Sequence, residues 1–228
     1  MIRGASIRAS PPELKGVDMS LVSTGDVRTW LNLAADDIDS NDKIASIAKA
    51  VQKFCDTYTG RILEVAMYEN DLQYSRLDGH GDAWLYLPLY PVSHLSGLYM
   101  DSDREFGAST LISTADYYCQ PDGKVFLDNA GIFVTGRQNI RADFRAGYAP
   151  VVGNTHNSAV GSYPVPADLK QVMVEMTVES MKEGITAIHT VESGESTKLL
   201  QMLSGNSFWK RTLDGYKNFA VGLGVREE

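Results

Sequence analysis

The histidines and the common catalytic motifs are the first places to look for chemistry in this 228-residue chain. The histidines are scattered and lack the H-E-x-x-H spacing of a zinc hydrolase. They are His80, His94, His156 and His189. No G-x-S-x-G elbow, P-loop or G-x-G-x-x-G turn occurs. A nucleophile and a base that are distant in sequence could still come together in the folded chain, but no motif indicates such a pair. The sequence therefore predicts no catalytic and no cofactor-binding residue.

The clustered carboxylates are the candidates for a metal site. Residues 101–107 begin like a calcium loop, but glycine falls at position seven instead of six, and position twelve is Ile112 instead of glutamate. The run DGHGD at 78–82 is glycine-rich, as turns between strands usually are. The acidic stretch AADDIDSND precedes a helix, where carboxylates cap free N–H groups. The pattern predicts no metal.

Composition and charge narrow the class of protein. Hydrophobic residues make up 43% of the chain and charged residues 22%, as in an ordinary globular protein. Cys55 and Cys119 are too few and too distant for a disulfide framework or a zinc site, so both are expected to be reduced core residues. A net charge of -8 argues against a protein that grips nucleic acid by its phosphates. No apolar run reaches the roughly 20 residues that cross a bilayer, and the N-terminus lacks an apolar signal segment, so no membrane partner is expected.

Three helices are predicted from capping residues and apolar spacing. Ser23 is a good N-cap with Asp26 three residues on, and Val27, Trp30 and Leu31 then share one face. An apolar stripe predicts a second helix over about 41–58, ended by Gly60. A third helix is predicted over 166–183, with a proline at its start.

Between the second and third helices the apolar period changes from near 3.6 to near 2. Short aromatic and β-branched runs separated by Gly, Asp and Asn predict antiparallel strands over 62–149. The fold class is thus α+β, a small bundle of three core helices with an inserted antiparallel β domain and an extended C-terminal tail. The expected boundaries are an N-terminal arm (1–20), a helical core (21–61 plus 164–184), the β domain (62–149), a loop (150–163) and the tail (185–228).

The chain resembles the head-tail connector (adaptor) proteins of tailed bacteriophages in several segments that follow one another in the same order. The resemblance covers about residues 20–183. It includes the first two helices and the Tyr-Thr-Gly-Arg sequence at 58–61. It continues through LYLPLYPVSHLSGLYMD, which is similar to the family's L-P-x-x-P-V segment, and through Tyr117-Tyr118. DFRAGYAP and VPADLKQ are similar to its strand end and to the start of its last core helix.

The resemblance implies a structural role without catalysis. Family members form dodecameric rings below the portal at the phage neck, extend the DNA channel and dock the stopper or the tail. The implied partners are other copies of this chain, the portal protein, a stopper or tail-completion protein, and double-stranded DNA that passes without specific binding. The implied location is the virion neck, after assembly in the host cytoplasm. An acidic assembly suits a conduit that should not hold DNA.

Two sets of residues are predicted to make these contacts. Ring closure needs heterologous contacts that repeat by rotation, and the second helix offers an exposed face for one. The residues predicted there are Lys43, Lys49, Lys53 and Asp56. The tail carries apolar anchors and is predicted to dock on the portal, with packing on its own domain as the alternative. Its predicted portal contacts are Leu199, Leu203, Phe208, Trp209, Leu213, Tyr216 and Phe219.

Two other functions stay open from the sequence. One is a small enzyme or lysis factor that uses the β domain as a ligand site, which converging polar groups in a concave pocket would favour. The other is a monomeric protein-interaction module, which a solution mass would separate from a ring.

Overall fold

A computed structural model of the chain describes residues 20–33, 39–149, 151–152, 155–156, 163–183 and 195–217. Helices and antiparallel sheets make up these residues, which confirms the α+β class. The helices are α1 (Thr24–Leu31), α2 (Asp39–Thr59), α3 (Ala167–Lys182), α4 (Glu195–Gly205) and α5 (Ser207–Gly215). The expected bundle of three helices is thus a bundle of five, because α4 and α5 pack with the other three.

The first helix begins where the sequence places it. The Ser23 hydroxyl accepts the Asp26 N–H at 3.0 Å, and the Asp26 carboxylate accepts the Ser23 N–H at 3.2 Å, which completes a capping box. Lys170 of α3 forms an ion pair with Asp26 at 2.9 Å and fixes α1 against α3. Val27 is buried, whereas Trp30, which helical spacing places on the same face, is 56% exposed.

One apolar core lies among the helices. Its α2 members recur every three or four residues and face α3, which is buried along most of its length. Central members of this core are Val27, Ile44, Ile47, Val51, Leu169, Val172, Met173 and Met176.

The second core lies between two antiparallel sheets. The strands are β1 (Ala66–Tyr68), β2 (Arg76–Gly79), β3 (Trp84–Tyr86), β4 (Val92–Met100), β5 (Tyr117–Cys119), β6 (Lys124–Leu127), β7 (Gly136–Ala146), β8 (Val151–Val152) and β9 (Thr155–His156). The long β7 pairs with β1, β2 and β4, whereas β3, β6 and β5 form a separate sheet and β8 pairs with β9. Core side chains from both larger sheets include Leu85, Leu98, Val125, Ile140 and Phe144.

A buried arginine joins the two cores. Arg61 follows the Gly60 turn that ends α2 and is 3% exposed. Its Nη2 donates to the Tyr90 carbonyl, and its guanidinium carbon lies 3.6 Å from the centroid of the Tyr90 ring and 5.9 Å from that of Tyr148. The Tyr90 hydroxyl in turn donates to the Lys217 carbonyl at 3.2 Å. Arg61 therefore connects the end of α2, the β strands and the segment after α5.

The turn after β7 depends on Gly147. Its φ is +111°, and a Cβ atom at this position would lie 2.5 Å from the Glu64 carbonyl oxygen. A side chain here would thus be strained and would also separate β7 from the segment that enters β1.

We expect Gly147→Ala to lower the free energy of unfolding by at least about 2 kcal/mol, because it combines a disfavoured φ with a backbone clash. Gly107→Ala is the matched control, since φ there is -72° and no atom lies within 4 Å of the added Cβ. The control should stay within about 0.5 kcal/mol of the parent in urea unfolding. Equal stability of the two variants would contradict the close approach at Gly147.

We expect Arg61→Ala to lower the free energy of unfolding by about 2–4 kcal/mol, because a buried cation–π contact and a charge-assisted hydrogen bond are both lost. Arg137→Ala, at an exposed arginine, should change stability by less than about 0.5 kcal/mol. Hydrogen exchange should also quicken around Tyr90 and Lys217 in the Arg61 variant alone. Unchanged exchange at both places would show that Arg61 does not hold the junction.

Candidate interaction surfaces

The lysines predicted as ring contacts lie on the solvent-exposed side of α2. Lys43, Lys49 and Lys53 are all exposed, while the opposite side of the helix is buried in the helical core. Lys49 lies near Glu64: burial raises the pKa of that carboxyl, whereas the Gln52 hydrogen bond and the Lys49 charge act in the opposite direction. These three side chains form what we call the lysine face. Its contact with another copy stays a prediction.

Asp56 differs from the other predicted ring contacts. Its carboxylate is partly buried and accepts the Leu63 N–H at 3.0 Å, so it caps the turn that follows α2. Burial raises its pKa to about 6, against the opposing effects of the Leu63 hydrogen bond and the Lys53 and Arg61 charges. The expectation that Asp56 lies on the exposed face is therefore wrong, because the carboxylate is used within its own chain.

The predicted portal anchors of the tail lie mostly inside the chain's own core. Leu199, Leu203, Trp209 and Leu213 are at most 4% exposed and pack in the helical core. This packing is the alternative stated for the tail. Portal binding through these four side chains is an untested prediction, and it would require them to leave the core.

Hydrogen bonds at the tips of polar and aromatic side chains hold α5 in place. The Trp209 Nε1–H donates to Glu175 at 2.6 Å, and the Tyr216 hydroxyl donates to Asp168 at 2.8 Å, so both bonds reach α3. The Tyr58 hydroxyl of α2 donates to Asp214 at 2.7 Å. The expectation of an extended tail is therefore wrong for 195–217, because these partners and the core burial fix both helices.

The remaining predicted anchors reach the surface or lie outside the described residues. Phe208 and Tyr216 are half-buried at the edge of the helical core. Phe219 lies outside the residues that the structure describes.

A cluster of exposed aromatic side chains lies on the β3–β6–β5 sheet, at residues that the sequence did not single out. Trp84 is 42% exposed, Tyr86 48% and Tyr118 56%. Trp84 pairs with Phe126, which also pairs with Tyr118. The rings of Trp84, Phe126 and Tyr118 therefore form one row across the sheet. The signal was present in the alternation of Trp84, Leu85 and Tyr86, because only Leu85 is buried. Pairing between strands that are distant in sequence supplied the rest.

A second exposed site is the groove beside Trp30. It has a volume of about 310 Å³ and lies between α1, α3 and the start of α5. Its carboxylates already have partners, since Glu175 accepts from Trp209 and Glu179 pairs with Lys182 at 2.6 Å.

The β domain also holds a shallow cavity of about 270 Å³, lined partly by Arg104, Arg137 and Asn139. Its lining includes no carboxylate, histidine or cysteine, and hence no acid–base pair. Asn139 serves the fold, because it accepts the Gly79 N–H at 3.0 Å and donates to the Val134 carbonyl at 2.7 Å.

The carboxylates that resemble a calcium loop close the loop on themselves. Asp101 accepts the N–H groups of Asp103, Glu105 and Phe106 at 2.8–3.1 Å. Within the described residues, no group of three His, Cys, Asp or Glu side chains is placed to hold a metal ion. Among the helices described, none is long and apolar enough to cross a membrane.

Comparison with known proteins gives matches in fold but not in sequence families. No protein-family model and no curated protein matches the chain. The chain is similar to one from the neck of a native GTA particle computed with C12 symmetry, with a TM-score of 0.51 and 18% identity over 89% of this chain and 91% of that chain. A chain from the neck of an empty GTA particle computed with C6 symmetry gives 0.51 and 17%, over 89% and 92%.

A third similar chain comes from the virion of a native gene transfer agent (GTA) particle. Its TM-score is 0.50 at 16% identity, and the match covers 95% of this chain and 98% of that one. At these identities the likeness shows a shared fold, which extends over nearly the whole length of both chains.

The raised pKa of Asp56 predicts that the stability difference between the parent and an Asp56→Asn variant changes with pH. The folded protein keeps a proton on Asp56 between the ordinary pKa of 3.8 and about 6, where the unfolded chain has lost it. Stability therefore falls as pH rises through this window, and the penalty is fully present above it. Asp56→Asn keeps an acceptor for the Leu63 N–H and removes the charge. It should be more stable than the parent by about 1–2 kcal/mol at pH 8 and equal to it near pH 4.

Asp56→Ala is the control, because it removes both the charge and the acceptor. It should be less stable than the asparagine variant by about 1 kcal/mol at each pH. Urea unfolding at pH 4, 6 and 8 measures these differences. A gap between parent and asparagine variant that does not change with pH would contradict the buried, charged cap.

Proposed function

We propose that the chain is a structural subunit of the neck of a tailed phage or a related particle. In this role it forms a head-tail adaptor ring below the portal, extends the DNA channel and docks the stopper or the tail. The observation that carries the proposal is the fold likeness to neck chains over about nine tenths of both molecules, 89% of this chain and 91–92% of the others. The order of motifs from α1 to α3 supports the same conclusion independently.

A ring of twelve copies is the stoichiometry that we propose. One of the similar neck structures was computed with C12 symmetry and another with C6, which divides it. A closed ring needs two different surfaces on each subunit that fit one another. The lysine face of α2 and the aromatic row on the β3–β6–β5 sheet are two exposed surfaces on different elements.

The charge of the chain supports passage of DNA without specific binding. The net charge is -8 per copy, and a ring multiplies this value. Because DNA phosphates and the ring repel each other, packaged DNA would not be held in the channel. We place the assembled ring in the virion neck, after assembly in the host cytoplasm.

The portal is the proposed partner on the head side. Phe208 of α5 and Tyr216, the residue after α5, are the predicted anchors that remain partly accessible, and the segment 218–228 with Phe219 follows them in the sequence. Stopper or tail-completion proteins are the proposed partners on the other side of the ring.

Electron microscopy of the purified chain, with native mass spectrometry, tests the proposal. We expect closed rings whose mass is a multiple of the 25.0 kDa chain, and binding of the chain to isolated heads that carry a portal. A chain that is monomeric at every concentration and does not bind such heads would contradict the proposal. It would favour the monomeric interaction module instead.

A further inference from the structure

The exposed side of the β3–β6–β5 sheet carries a second row next to its aromatic row. Asp82, Asp116 and Asp128 lie one or two residues beyond the strand ends, and all three are exposed. The Asp128 N–H donates to the Asp116 carbonyl at 2.9 Å, and the Leu127 N–H donates to the Ala83 carbonyl at 2.9 Å, so the strand pairing continues up to this row.

The three aspartates follow the alternation that sets the aromatic row. Trp84 pairs with Phe126, and Tyr118 pairs with Phe126. Each aspartate lies two positions along the chain from one of these rings, just beyond the end of its strand, where continued alternation of an extended chain puts it in line with that ring. We call the two rows together the aromatic–acidic face. Its rings are Trp84, Phe126 and Tyr118, and its carboxylates are Asp82, Asp128 and Asp116.

The chemistry of this face suits ammonium groups that lie among apolar atoms. The Lys124 Nζ lies 4.6 Å from the Trp84 ring centroid and 4.7 Å from that of Phe126, which is cation–π distance. Within the described part of the chain, no side chain is bonded to the carboxylates of Asp82, Asp116 or Asp128. The cluster is not a metal site either, since the described residues contain no group placed to hold an ion.

The lysine face of α2 has the complementary charge. Lys43, Lys49 and Lys53 lie six and four residues apart, about 9 and 6 Å along the helix. The three aspartates stand at the ends of neighbouring strands, whose backbones are about 5 Å apart. The long stems of these lysines can lie along the rings.

We propose that the aromatic–acidic face of one copy binds the lysine face of α2 of the next copy. This inference rests on the proposed ring and names the two surfaces that close it. The contact is heterologous, because the two faces are on different elements, and it therefore generates a ring instead of a two-fold dimer. The groove beside Trp30 is a weaker counterpart for the lysines, because Glu175 and Glu179 are already paired.

Charge reversal of each face alone tests the contact in the full chain. The first variant is Lys43→Glu with Lys53→Glu; Lys49 is left in place because it lies near Glu64. The second is Asp116→Lys with Asp128→Lys. Each variant alone should fail to form the oligomer, since two like-charged faces then meet, and light scattering should report the monomer mass of 25.0 kDa.

An equimolar mixture of the two variants provides the decisive arm. In the mixture, the lysine-bearing sheet of the second variant can bind the glutamate-bearing helix of the first. The unchanged helix of the second variant can bind the unchanged sheet of the first. Oligomers that alternate the two variants should therefore form in the mixture. Loss of assembly in each variant without recovery in the mixture would overturn the pairing.

Lys198→Glu with Lys210→Glu is the matched control, because it makes the same charge change at exposed positions on α4 and α5. It should assemble like the parent. If the parent forms rings and both reversal variants do so too, the contact lies elsewhere and the proposed ring stands. If the parent is a monomer at every concentration, the ring fails and this contact fails with it.

Trp84→Ala with Tyr118→Ala keeps the test valid if a charge-reversal variant does not fold. Both rings are about half exposed, so circular dichroism and melting should change little. The dissociation constant for assembly should rise at least about ten-fold, as for loss of an aromatic anchor at an interface. An unchanged constant in this folded variant would overturn the role of the aromatic row.

Discussion

The structure depends on one buried cation, Arg61, at the point where the helical core meets the β sheets. Burying a guanidinium is costly unless hydrogen bonds or aromatic rings replace its water. Here the Tyr90 carbonyl and the rings of Tyr90 and Tyr148 replace part of that water, whereas Nε and Nη1 have no acceptor among the described residues. The flat guanidinium suits this position because it can lie against a ring while it donates sideways.

The same junction explains why the C-terminal helices belong to the core. Tyr90 bonds to the Lys217 carbonyl, and the Tyr216 ring packs edge-on to Tyr148 at 6.4 Å. With Trp209 and Leu213 buried behind these contacts, α5 covers α3 and the end of α2. The chain segment that most resembled a free docking tail thus completes the subunit. An exposed face of a sheet is then left to meet partners.

The helices could be predicted because each follows from local residues. The capping pair of Ser23 and Asp26 and the apolar stripe of α2 depend on neighbours within a few positions. The burial of Trp209 and the exposure of Trp30 could not be predicted in this way. Both are set by where α5 and α3 lie in space, and an apolar residue on a helix does not show whether its own chain or another covers it.

The candidate surfaces also differ in whether local sequence could predict them. The lysines of α2 could be found because they lie opposite an apolar stripe, but Asp56 shares their spacing and instead caps the Leu63 turn. The aromatic–acidic face could not be found, because its rows are assembled from three strands whose register only the folded chain fixes. Strand alternation identified which side chains point outward and did not show that they meet.

A repeated contact between two unlike faces would let a small acidic subunit close into a ring around DNA. The most direct measurement is a cryo-electron microscopy map of the assembled oligomer, detailed enough to trace the chain. Our account predicts closed rings in which the β3–β6–β5 sheet of each copy lies against α2 of its neighbour, with lysine ammonium groups beside Asp116 and Asp128. Rings in which this sheet faces solvent and α2 meets another surface would contradict it.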